Sequence, residues 1–136
     1  MTQVIIFKND NGGVATCVPT GEISIEAVMA KDVPKNRGAR IVEQDSLPNE
    51  YYDFYNAWEM DDTSVTVNFA KAVELTKDRL RAERAPLLQV QDIAFQRAIE
   101  ANADTTAIVA EKQRLRDITQ LADQATDLDE LKALKV

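Results

Sequence analysis

The sequence predicts an α+β fold in which a small β-rich part, residues 1–67, precedes an α-helical hairpin or bundle, residues 68–136. Three observations lead there. Two β-branched apolar runs, VIIFK (4–8) and VATCV (14–18), flank NDNGG, whose Asn11-Gly12 pair is the strongest short signal for a β-hairpin. Glycine is absent after Gly38, and beyond residue 68 proline occurs only at Pro86, while Ala, Leu, Glu, Gln, Lys and Arg, all good helix formers, dominate. Charge changes at the same place: residues 1–67 carry five basic and eleven acidic groups, −6, and residues 68–136 carry eleven and twelve, −1.

The first hairpin is expected to turn through a type I′ bend at Asn11-Gly12, which needs positive φ at both positions. Its glycines do not cradle phosphate, because neither GxGxxG nor GxxxxGK[ST] spacing is present. SIEAVMAKDV then reads as a short helix, capped by Ser24, with Ile25, Val28 and Met29 at helical spacing and its end set before Pro34. ARIVE (39–43) reads as a strand, and Ser46 and Pro48 start a helix or turn. Tyr51, Tyr52, Phe54, Tyr55 and Trp58 are five of the eight aromatic residues. With no basic residues interleaved, they are better read as anchors of a small core or interface than as a base-stacking platform. EMDDTSVTVNF closes this half as a strand in which Val65 and Val67 alternate.

In the second half, Val73, Leu80, Leu87 and Ala94 recur every seven residues, but Thr76, Glu83 and Arg97 between them are polar, too weak a pattern for a coiled coil. The spacing pairs Glu74 with Lys77, Asp78 with Arg81 and Arg79 with Glu83, so these charges form a solvated helix face. Proline inside a helix removes one hydrogen bond and clashes with the carbonyl four residues back, here that of Ala82. Pro86 is therefore expected to turn or kink the helix, handing over from a solvated half to a buried one. Beyond it Leu88, Phe95 and Ile99 share a face, widened by Leu87, Val90 and Ala94, that should pack on a second helix carrying Ile108, Leu115, Ile118, Leu121 and Ala122. Asp104 caps that helix, and the short Asn102-Ala103 link folds it back antiparallel. Thr126 with Asp129 suggests a capping box for a last helix lined by Leu128, Leu131 and Leu134.

Several chemistries lose support. Cys17 is the single cysteine and histidine is absent, which removes thiolate or imidazole metal clusters, intrachain disulfides and the Ser–His or Cys–His nucleophile pairs; no cofactor is implied. A carboxylate pair leaves a small enzyme as the least favoured class. The acidic balance argues against nucleic acid as a partner. No apolar run reaches membrane-spanning length and the first residues lack signal-peptide character, so the expected place is the cytoplasm, unless the chain leaves in a larger particle.

KDRLRAERAPLLQVQDIAFQRAIEANADTTAIVAEKQRLRDIT, residues 77–119, resembles the carboxy-terminal region of bacteriophage tail assembly chaperones and tail-fibre accessory proteins. The matching positions of an "LRxERxxLLxxxD" helix are Leu80, Arg81, Glu83, Arg84, Leu87, Leu88 and Asp92, and those of a "QxLRDIT"-like segment are Gln113, Leu115, Arg116, Asp117, Ile118 and Thr119. The amino-terminal part is similar to small phage proteins of uncertain role. The resemblance implies a tail or virion structural or accessory protein, with a non-virion assembly chaperone as the alternative. It implies other phage tail or virion proteins, and copies of the chain itself, as partners, first in the host cytoplasm and then in the virion. The candidate partner-binding residues are Leu87, Leu88, Phe95, Ile99, Ile108 and Leu115 on the helices, and Tyr51, Tyr55 and Trp58 in the aromatic cluster.

Overall fold

A computed structural model describes residues 2–136. The fold is α+β, with small antiparallel sheets in the amino-terminal part and a mostly helical carboxy-terminal region. The chain divides into two compact units, Met1–Ala72 and Val73–Val136.

In the first unit, β1 (Gln3–Lys8) lies between β2 (Val14–Cys17) and β3 (Arg40–Glu43), antiparallel to both. Because strand side chains alternate, β1 feeds two cores at once. Val4 and Ile6, with Val14 of β2, pack with Leu47, Trp58 and Met60, whereas Ile5 packs on the other face with Val28 and Val33. The β1–β2 turn differs from the expected type I′ bend. Gly12 alone has positive φ (80°), and its N–H donates to the Asn9 carbonyl at 3.3 Å. The Asn9 carboxamide accepts from the N–H groups of Asn11 (2.9 Å) and Gly13 (2.8 Å), which keeps Asn11 out of the left-handed region and makes a three-residue loop ending in a left-handed glycine.

α1 (Ile25–Asp32) starts where expected, the Ser24 hydroxyl accepting from the Ala27 N–H at 3.2 Å. Short 3-10 turns at Gln44–Ser46 and Asn49–Ala57 carry the aromatic cluster. The single strand expected at 59–69 is instead a hairpin, β4 (Trp58–Met60) paired with β5 (Val65–Val67), because the Asp61 carboxylate collects the N–H groups of Thr63 (2.8 Å) and Ser64 (2.7 Å) and bends the chain. Asn68 then caps α2 (Phe69–Glu100) through the Lys71 N–H at 3.0 Å, and its amide also donates to Glu59 on β4 at 2.9 Å.

α2 continues as helix through Pro86, so the chain does not turn there. Ala82 and Pro86 are both exposed, so the carbonyl deprived of its partner faces water rather than a core. The expected direction of burial is also reversed. Thr76 and Leu80, in the charged half, are buried, while Leu87, Val90, Ile93 and Ile99 beyond the proline are exposed. The reason lies in what folds back. α3 (Thr106–Asp117) returns antiparallel after a turn at Asn102 (φ 54°), and α4 (Gln120–Gln124) and α5 (Leu128–Ala133) continue along the earlier part of α2. Lys77 pairs with Asp123 at 2.6 Å, and the Arg79 guanidinium donates to the Leu131 carbonyl at 3.2 Å. The remote half of α2 is joined to α3 by Lys112, which reaches Asp92 at 2.8 Å, with the same ammonium 4.9 Å from the Phe95 ring centre. The expected second helix is interrupted at Ile118-Thr119, between α3 and α4. The last cap lies one residue later than expected: Asp127 accepts from the Glu130 N–H at 2.8 Å, and Glu130 reaches back to the Thr126 N–H at 2.6 Å.

Candidate functional site

Two surfaces concentrate unusual chemistry, one in each unit. In the second unit, helical spacing of three puts Leu87, Val90 and Ile93 along one side of α2, and they are 40%, 59% and 47% exposed. Of the positions singled out from sequence, Leu115 is fully buried, Leu88, Phe95 and Ile108 are half-buried beside the α2–α3 contact, and Leu87 and Ile99 face out. Val90 and Ile93 were not among the candidate partner residues. The signal for them was the 87-90-93 interval, masked by the apolar face of Leu88, Phe95 and Ile99 beside it.

Residues of the two helical segments Leu80–Asp92 and Gln113–Thr119 fasten this unit together. Leu80, Leu115 and Ile118 are buried. The Arg84 guanidinium donates to the carbonyls of Leu115 (3.3 Å) and Arg116 (2.8 Å), where the last turn of α3 leaves carbonyls without helical partners. Gln113 donates to Asp117 at 3.0 Å. The three charge pairs expected from spacing are present, Glu74–Lys77 at 3.5 Å, Asp78–Arg81 at 2.7 Å and Arg79–Glu83 at 3.0 Å. Hydrogen bonding to Asp123, aided by its charge and that of Glu74, raises the Lys77 pKa, and the Arg114 guanidinium lowers that of Glu111.

In the first unit the aromatic cluster splits by role. Trp58 is buried in the core and its indole N–H donates to the Tyr51 carbonyl at 3.1 Å. Tyr51 and Tyr55 are half-buried, and Tyr52, absent from the candidate residues, is 65% exposed. Tyr52, Tyr55 and Trp58 pack in tilted and edge-on contacts with centroids 4.9 to 6.1 Å apart. Rings this close fill the space between them, so they do not frame a cage for an ammonium group. Beside them opens a cavity of about 280 Å³ with no charged residue in its lining, where the hydroxyls of Thr16 and Tyr55 share a hydrogen bond at 3.2 Å. Hydrogen bonds from the Thr63 and Ser64 N–H groups hold the nearby hairpin's Asp61 well below the usual carboxylate range, at about 2. Lys71, then Asn68, lowers Glu59 in the same way. Among the described residues no group of His, Cys, Asp or Glu is placed to hold a metal ion. Comparison with family models, curated proteins and solved structures finds no match.

Proposed function

We propose that this chain is a structural or accessory protein of a bacteriophage tail or virion, working through protein–protein contact. The observation that carries this reading is the row of Leu87, Val90 and Ile93, three large apolar side chains left in water on one side of a long helix. Each is already about half covered, so burying the remainder against another protein recovers roughly 1 kcal/mol per side chain. The phage setting comes from the motif resemblance along α2 and α3. The partners proposed are copies of this chain and other tail or virion proteins, met in the host cytoplasm and retained in the particle.

Two measurements test it. Sedimentation should show self-association, or association with a particle protein, that Val90→Glu abolishes while the circular dichroism of the helices is retained. A denaturing gel of purified particles should contain the chain. Absence from particles, with association in infected-cell extract preserved, would support the assembly chaperone instead, and a monomer with no bound protein in either setting would remove both.

A further inference from the structure

The exposed row on α2 belongs to a longer line. Thr76, Leu80, Glu83, Leu87 and Val90 follow at intervals of four and three, with Arg97 two steps later, the spacing that keeps residues on one side of a helix. The first part of this line is covered within the chain: Thr76 and Leu80 are buried, and Arg79 beside them holds the Leu131 carbonyl of α5. From Leu87 onward it opens to water, with Leu87, Val90 and Arg97 exposed.

The open part is balanced about Val90. Leu87 and Ile93 stand three residues to either side, and Pro86 and Ala94, both small, stand four. Seven residues out, about two helical turns, are Glu83 and Arg97, which carry opposite charge. Two copies of α2 laid antiparallel about a two-fold axis at Val90 therefore set Glu83 of each at the level of Arg97 of the other. A parallel pairing would instead set Glu83 against Glu83 and Arg97 against Arg97. Arg97 is the one cation of α2 without an acceptor among the described residues, whereas Lys71, Lys77, Arg79, Arg81 and Arg84 each have one. Glu83 engages one carboxylate oxygen with Arg79 at 3.0 Å, and among the described residues no partner takes the other.

We infer that this face pairs with the same face of a second copy, antiparallel and centred on Val90, covering Leu87, Val90 and Ile93 of both chains between two Glu83–Arg97 pairs. The inference rests on the proposal that the row is a contact surface, and adds which partner it takes and in which register. Charge balance agrees with it. Residues 68–136 carry −1 and residues 1–67 carry −6, so copies that meet through α2 do so by their nearly neutral parts. The partner's α2 ends at Glu100, which this register sets at the level of Leu80, where the line is already covered within the chain. Ion pairs in contact lie inside the Debye length of about 8 Å at physiological salt, so they persist while longer-range repulsion between acidic copies is screened.

The test is sedimentation of the full chain and of two charge variants, Glu83→Arg and Arg97→Glu. Each alone sets like charges at both ends of the pairing and should weaken dimerisation about tenfold or more. Mixed in equal amounts they should form a heterodimer about as tight as the unaltered dimer, because every arginine then meets a glutamate. A second readout leaves the charges in place: with Cys17→Ser, Val90→Cys should form a disulfide-linked dimer on oxidation, and Gln96→Cys, on the opposite side of α2, should not. A mixture no tighter than either variant, together with no Val90→Cys dimer, overturns the inference. Dimers that Val90→Glu dissolves but both charge variants leave intact overturn it too, while the contact surface itself stands. An unaltered chain that is monomeric at millimolar concentration, yet binds a particle protein through Val90, overturns the second copy as partner and keeps the proposed function.

Discussion

Arg81 and Arg84 lie three residues apart on α2 and do different work. Arg81 reaches only Asp78 in its own helix, whereas Arg84 bonds two carbonyls on α3. Replacing Arg84 by Met should therefore cost about 1 to 2 kcal/mol, and Arg81→Ala less than about 0.5 kcal/mol, in urea titrations. Equal costs would mean that the Arg84 bonds are exchanged for water without loss. The Arg81 pair was legible in the sequence because its partner is three residues away, while the carbonyls held by Arg84 belong to residues 115 and 116 and follow no local spacing. Asp61 gives a second test at this scale. Its pKa is depressed on folding, so its contribution to stability is present above the ordinary value of 3.8 and lost as pH falls through about 2. The amide resonances of Thr63 and Ser64 should titrate with a midpoint near 2; a midpoint near 4 would show that the carboxylate is free.

At the scale of elements, α2 shows what periodicity can and cannot tell. The spacing of apolar residues identified a helix and its antiparallel return, because both depend on local pattern and a short link. It did not identify which half is covered, since that is decided by α4 and α5, which fold back on the charged half, whose Lys77 and Arg79 reach Asp123 and the Leu131 carbonyl. Leu80→Ala should cost about 2 to 5 kcal/mol, and Leu87→Ala less than about 1 kcal/mol, reversing the order expected from the composition of the two halves. Pro86→Ala should raise stability by about 1 to 3 kcal/mol by restoring the bond to the Ala82 carbonyl. Calorimetry decides it: a lower melting temperature for Pro86→Ala would show that the proline fits a local bend that alanine cannot take.

Across the whole molecule, the α+β class was readable because composition, glycine usage and charge all switch in one region of the chain. The cavity beside Tyr52 was not, because the sequence shows an aromatic cluster without showing which ring is buried. Trp58, the largest, went into the core and left a tyrosine outside. The net charge of −7 bears on assembly as well. The apolar contact proposed for α2 would not be screened by salt, whereas repulsion between acidic copies would. Raising ionic strength from about 0.01 M to about 0.15 M, which shortens the Debye length from about 30 Å to about 8 Å, should strengthen self-association in sedimentation. Weakening with salt would point to paired charges as the contact.

The loop between β1 and β2 also contains a chemical clock. Asparagine followed by glycine is prone to deamidation, in which the glycine nitrogen attacks the asparagine side-chain carbonyl and expels ammonia, and water then opens the succinimide to aspartate or isoaspartate. In the folded loop the Gly12 N–H donates to the Asn9 carbonyl, a bond that must be given up before that nitrogen can lose its proton and attack. The rate at which isoaspartate accumulates at Asn11 thus reads how often the hairpin opens, and each event leaves one more negative charge at the tip of an already acidic half.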